Sequence, residues 1–402
     1  MASSLFRKRL EQVLTEYEKL ITRPNIPIEP GNGIYYRFRY PVITRDHIPI
    51  SWRYDCDEND NPFFMERLGV NSTFNSGAIE LDGRVHLVVR VEGVDRKSFF
   101  AIAESESGID NFRFRERPIV IPETDNPATN VYDMRLTAHE DGWIYGLFCV
   151  ERKDMTKPDD PTAARADCGI VRTKDLNTWE RLPDLVSGPQ QRNVVLHPEF
   201  VNGKYALYTR PADEFIDTGT QSGIGWALVD SMENAVITEE KIIDRRMYHT
   251  IKEVKNGEGP TPIKTPVGWL HIAHGVRSHA GGLRYVLYLF ITALDDPSRV
   301  IYSPGGHFLS ALGDERLGDI NSIVFCNGAV KRENGEVLIY YGAGDTRLYV
   351  AKSSVDQLVD YCINTPPDAL RSHDCVKQRI ALIEKNRKLI AESSDELLKR
   401  IV

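Results

Sequence analysis

Short runs of alternating apolar and polar residues recur along the chain, each broken by a polar turn that contains glycine. Five segments share this shape: Leu81–Val89, His139–Leu147, Val201–Tyr208, Pro266–Ile272 and Glu333–Tyr340. Asp-Gly and Asn-Gly between strand-like runs are strong hairpin signals, because a type I′ turn needs positive φ at both central residues. The turn glycines Gly83, Gly142, Gly203, Gly268 and Gly335 recur every 59 to 67 residues. Each hairpin is followed by a further strand-like run: Ala101–Ser105, Cys168–Asp175, Gly225–Asp230, Tyr285–Phe290 and Leu348–Ser354. Four strands per repeat and five repeats predict an all-β fold, a five-bladed β-propeller over residues 25–366. A β-sandwich with a second domain is the rival architecture; it gives no reason for fivefold regularity.

The two ends change period from two to about 3.6. Leu5, Phe6, Leu10, Val13, Leu14, Tyr17, Leu20 and Ile21 fall at helical spacing before Pro24, predicting an N-terminal helix within residues 1–24. Residues 367–402 read as a C-terminal helical tail, with Val376, Ile380, Ile383, Leu389, Ile390, Leu397 and Leu398 among many charges. Ser393-Ser394-Asp395 is expected to break the tail and cap a last short helix. Such helices either pad the flank of a propeller or join subunits, and the second use is the expectation.

Composition removes several function classes. The net charge is −8, against the basic surface that nucleic-acid binding usually needs. No apolar run approaches the roughly 20 residues of a membrane helix, and Met1–Lys8 shows no secretory leader, so neither nucleic acid nor membrane is an expected partner and a cytoplasmic location is. Six scattered cysteines, none in CxxC spacing, are expected to be free thiols.

The innermost strand of each blade lines a propeller's channel, so polar residues just before each hairpin are candidates for a site. They are Asn75-Ser76-Gly77, Tyr132-Asp133-Met134-Arg135, Arg192-Asn193 with His197-Pro198-Glu199, Gly259–Lys264, and Asn327-Gly328. Strand ends add Arg90, Arg210 and the loop Gly342–Asp345. One carboxylate, Asp133, thus converges with the cations Arg192, Arg210 and Lys264. An inverting glycosidase needs two carboxyl groups with water between them. A phosphorolytic enzyme needs one acid and a cationic cradle, since phosphate is itself the nucleophile and arginine forks bind its oxygens in pairs. Taken singly, an aspartate before a strand is more often a turn residue, and any one of these cations a surface residue; recurrence at equivalent blade positions carries the reading. His271-x-x-His274 with His279 does not read as a metal site, because strand geometry puts the first two on opposite faces. Gly342-Ala343-Gly344 is too short for a nucleotide-binding fingerprint.

Those same segments, joined by Val89–Gly93, Gln191–Val194, Tyr208–Pro211 and Tyr341–Asp345, make the chain resemble the inverting β-mannoside phosphorylases over nearly its whole length. The resemblance implies that Asp133 is the general acid, acting through the mannose 3-hydroxyl, and that Arg192, Arg210 and Lys264 hold phosphate. It implies help from one tyrosine and one histidine of the fourth blade, with Tyr288 preferred over Tyr285 and His279 over His274. Asn75, Ser76, Arg90, Asn193 and Asp345 would bind sugar. The implied partners are a β-mannoside disaccharide and inorganic phosphate, a co-substrate, with no metal or other cofactor, in a homo-oligomer such as a hexamer. The loop Trp52–Arg67 and the insertion Arg152–Arg165 resemble the group acting on mannose linked β-1,4 to glucose, which implies reversible, inverting phosphorolysis to α-mannose 1-phosphate and glucose. Mannooligosaccharide or mannosyl-N-acetylglucosamine phosphorylases would share this core. A propeller β-mannoside hydrolase and a non-catalytic sugar-binding propeller are the rivals from other classes.

Overall fold

The computed structural model describes residues 2–215, 218–220 and 222–401. Met1 and Val402, the outermost residues of the two expected helical segments, lie outside the described residues. Among the described residues, twenty-two of the twenty-four strands form five antiparallel blades around an axis, and Gln190–Gln191 pairs separately with Pro211–Ala212. Blade I runs from Val70–Leu81 at the axis through Arg84–Gly93 and Ser98–Ser105 to Arg113–Phe114. Blade II uses Asn130–Ala138, Ile144–Lys153, Ala164–Thr173 and Glu180–Leu182. Blade III uses Val195–Leu196, Tyr205–Thr209, Gly223–Val229 and Glu240–Arg245.

In blade IV the inner strand is split into Lys255–Glu258 and Ile263–Lys264, both paired with Trp269–His279. Two prolines, Pro260 and Pro262, remove the donors a continuous strand would need. Blade V, Val324–Lys331, Glu336–Ala343 and Arg347–Ser354, takes its outer strand from the chain start, where Tyr36 pairs with Lys352 and Arg37 with Ala351. The N-terminal segment therefore closes the ring, a role the hairpin period did not reveal. Closing a ring leaves blade edges short and protected.

Apolar residues of neighbouring blades fill every seam. Val88 and Phe100 meet Met134 and Phe148 between blades I and II, and Leu147 and Ile170 meet Leu196 and Leu207 between II and III. Tyr208 with Phe290, Leu289 with Val324, and Leu338 with Val85 continue the pattern around the remaining seams. Two of the hairpin turns have positive φ at both central residues, Asp82-Gly83 (52° and 73°) and Asn202-Gly203 (54° and 74°). The turns at Gly142 and Gly335 have it only at glycine, so the type I′ expectation is corrected there. Gly268 serves close approach instead: a Cβ there would sit 2.2 Å from the Thr292 carbonyl oxygen.

The helices divide into two kinds. Ala2–Ile21 anchors through Phe6, whose ring meets Phe64 edge-on at 5.1 Å. Val355–Asn364, inside the span expected to be propeller alone, packs Val355, Leu358 and Cys362 on the seam of blades IV and V. The tail helices Ser372–Glu392 and Glu396–Lys399 bury no residue. Asp395 caps the second by accepting from the Leu397 amide, as its sequence signal predicts.

Candidate active site

Local backbone irregularity builds the site. The pairing register shifts between Phe74 and Ser76 in blade I and between Tyr132 and Arg135 in blade II. These are β-bulges, which bend a strand and re-aim a side chain. Asn75 and Asp133 sit in them with φ of 46° and 60°; Asn193 (58°) and Asp345 (54°) share the left-handed conformation. Asn and Asp tolerate that region better than other side chains. The four residues, with Arg90, Arg192 and Arg210, line one axial cavity of about 550 Å³.

One oxygen of Asp133 accepts from two donors of blade I: Asn75 Nδ2 donates to Oδ1 at 3.1 Å and Arg90 Nη1 at 3.2 Å. Arg90 also donates to Glu92 at 2.7 Å and to Ser98 at 3.1 Å, and its guanidinium lies 4.5 Å from the Phe74 ring and 4.8 Å from that of Tyr132. The side chain is held on every face. Across the cavity, burial and the nearby Asp133 charge push the Asp345 carboxyl up to about 6.

Arg192, Arg210 and Lys255 form a cationic wall of the same cavity. Burial first, and Arg192 second, bring Arg210 down to about 10; burial and then Arg210 and Arg192 bring Lys255 down to about 8. Among the described residues none of the three pairs with a carboxylate; the one side-chain hydrogen bond they make runs from Arg192 Nη1 to the Phe215 carbonyl, at 2.8 Å. Buried like charges left unbalanced are costly, and an anion set among them would relieve all three. His274 lies beside this wall with both ring nitrogens buried and unpartnered, its protonated form disfavoured by burial and then by Arg210. Tyr285 completes it, 6.3 Å from the His274 ring and 5.4 Å from Lys255 Nζ.

Four sequence-predicted residues fall elsewhere, and those expectations are corrected. Lys264 sits at the hairpin end of the split strand, half exposed, with Nζ 2.7 and 2.8 Å from the Glu199 carboxylate. Lys255, at the opposite end of that inner strand, occupies the cavity instead; the Lys255–Gly259 run beside the quoted motif was the overlooked signal. His279 pairs with Gly282 at the exposed tip of a long hairpin. Tyr288 is buried and donates to Asp244 at 2.6 Å. Positions 285 and 288 are an odd number apart, so they face opposite sides of the strand, and the cavity gets Tyr285. Ser76, next to the bulge, turns its hydroxyl to the Gly77 carbonyl at 2.8 Å and stays out of the cavity. Glu151, Phe215 and the loop Asp95-Arg96-Lys97, unremarked in the sequence, also line it; strand ends and hairpin tips carry no motif of their own.

Residues 45–364 match the family described as beta-1,4-mannooligosaccharide phosphorylase. A 4-O-beta-D-mannosyl-D-glucose phosphorylase of Bacteroides fragilis is 60% identical over 388 residues, covering 96% of this chain and all of that protein. A beta-1,4-mannooligosaccharide phosphorylase of Ruminococcus albus is 27% identical over 85% of this chain and 96% of its own. The solved beta-1,2-mannobiose phosphorylase of Listeria innocua superposes with a TM-score of 0.65 at 20% identity, over 84% of this chain and 99% of that one, which shows the propeller fold. With residues 45–364 matched by the family model and a relative 60% identical over nearly its whole length, the chain belongs to the beta-1,4-mannooligosaccharide phosphorylase family.

Proposed function

We propose that the protein catalyses reversible, inverting phosphorolysis of 4-O-β-D-mannosyl-D-glucose to α-D-mannose 1-phosphate and D-glucose. Asp133, held by Asn75 and Arg90 in the same cavity as three cations that pair with no carboxylate among the described residues, supports the reaction type, and 60% identity to the Bacteroides fragilis enzyme over 96% of the chain supports the disaccharide. In this reading Arg192, Arg210 and Lys255 hold phosphate, with Tyr285 and His274 beside it. Asn75, Arg90, Asn193 and Asp345 hold the mannosyl unit. A phosphate oxygen attacks the anomeric carbon from the face opposite the glucose. The bond from that carbon to the glucose O4 breaks, and O4 takes a proton that Asp133 supplies through the mannose 3-hydroxyl. In-line positioning and charge balance at the phosphate are the rate-giving terms. The chemistry calls for no metal or organic cofactor.

The same reading places the enzyme in the cytoplasm as a homo-oligomer. Free thiols at all six cysteines suit a reducing compartment. The exposed apolar side chains of the tail helices suit burial against further copies, a hexamer being the expected assembly. No helix of the described residues is long and apolar enough to cross a membrane.

Incubating the disaccharide with and without phosphate tests the function. Mannose 1-phosphate and glucose should appear together, and only with phosphate. Free mannose in phosphate-free buffer would replace the reading with hydrolysis, and turnover of mannobiose but not mannosyl-glucose would replace the acceptor.

A further inference from the structure

Two residues after the proposed acid lies an arginine with no carboxylate in contact among the described residues. Arg135 is 1% exposed, and burial pulls its guanidinium below the usual arginine range. A buried cation without a bonded counter-ion is costly, and an apolar side chain of similar length would avoid the cost. Its donors instead go to three backbone carbonyls. Nη1 donates to the Asp133 carbonyl at 2.8 Å, Nε to the Gly259 carbonyl at 3.2 Å, and Nη2 to the Glu258 carbonyl at 3.5 Å. The guanidinium also lies 5.6 Å from the Phe325 ring of blade V.

These contacts join two places that the chemistry must keep in register. Asp133 belongs to the blade II bulge, where the register shift leaves its backbone without ladder partners and φ is +60°, a conformation that persists only when its surroundings hold it. Glu258 ends, and Gly259 directly follows, the inner strand of blade IV that begins at Lys255, one of the three cavity cations. We propose that Arg135 is a positioning residue: it clamps the backbone of the proton donor to the strand bearing the phosphate cradle, across the channel, so that acid and nucleophile keep a fixed separation. This rests on the reading of Asp133 given above.

The test uses Arg135→Lys and Arg135→Met, each alone and in an Asp133→Asn background. Lysine keeps the charge but cannot span carbonyls on two blades. Arg135→Lys should melt cooperatively and bind mannose 1-phosphate within about threefold of wild type. Its kcat for phosphorolysis should fall at least about 30-fold, since misplacement by roughly 1 Å can cost 10²-fold. Added to Asp133→Asn, it should lower the residual rate no further than about twofold, because its effect passes through the acid. Arg135→Met should behave as Arg135→Lys does. A kcat within threefold of wild type for Arg135→Lys, or additive losses in the double variant, would overturn the assignment. So would failure of both single variants to fold, which would make Arg135 a structural tie between blades. Wild-type turnover by Asp133→Asn alone would instead remove the reading of the acid.

Discussion

Arg90 and Asp133 come from different blades, and Arg90 Nη1 lies 3.2 Å from Asp133 Oδ1. Because Arg90 is itself fixed by Glu92 and Ser98 and stacked between Phe74 and Tyr132, it presents a rigid donor. Arg90→Met should therefore lower kcat for phosphorolysis about 10²-fold while phosphate binding, measured by calorimetry, stays within about threefold. Asp133→Asn should lower kcat further, about 10³-fold, again with phosphate binding retained. Loss of phosphate binding in either variant would move these residues into the cradle.

Lys255 and Lys264 offer a direct contrast. Lys255→Ala should raise the KM for phosphate at least about tenfold, since a desolvated cation is removed from beside the anion. Lys264→Ala, which breaks a half-exposed pair with Glu199, should change it less than about twofold. The reverse ranking would restore Lys264 to the cradle.

Phosphate affinity should depend on alkaline pH through Lys255. Burial and its arginine neighbours bring this amine to about 8, below the ordinary lysine value of 10.5, so the free enzyme loses this proton as pH rises through 8. Phosphate favours the charged form, so binding at pH 8.5 should take up protons, visible as buffer-dependent heats, and KM for phosphate should climb above pH 8. In Lys255→Ala both effects should vanish. For stability the window is pH 8 to 10.5, where the unfolded chain binds more protons and this group's contribution rises with pH.

Asp345 should trade stability for function. Its folded value of about 6 exceeds the ordinary aspartate value of 3.8; the native state binds more protons between these values, so this group's stabilising contribution is lost as pH rises from 3.8 to 6. Asp345→Asn should thus be more stable than wild type at pH 7, by up to about 3 kcal/mol for a shift of roughly two units, while mannoside turnover falls at least about tenfold. A lower melting temperature for the variant at pH 7 would refute the cost of the buried charge.

Val376, Leu389 and Leu397 are 55%, 52% and 69% exposed, and a monomer would leave this apolar surface in water. Light scattering should give a mass of several chains. Ile383→Asp with Leu389→Asp should shift it downward. A monomeric mass for the wild type would end the oligomer proposal.

Hairpin punctuation at Gly83, Gly142, Gly203, Gly268 and Gly335, with alternating strands between, was enough to determine five blades, because turn chemistry and strand period are local properties of the chain. Asp133, Asn75, Arg90, Arg192, Asn193, Arg210 and Asp345 were likewise legible from their places at inner-strand starts and strand ends. Tertiary structure alone decided which lysine, tyrosine and histidine of blade IV reach the cavity. That choice depends on where Pro260 and Pro262 split the inner strand and on which face of a long hairpin each residue occupies, and a one-residue change in register reverses the face. Ring closure by Tyr36–Arg37 and the clamp from Arg135 to Glu258 and Gly259 were hidden for a related reason: they join segments more than 120 residues apart, and no local pattern records a contact made only when the ring is shut.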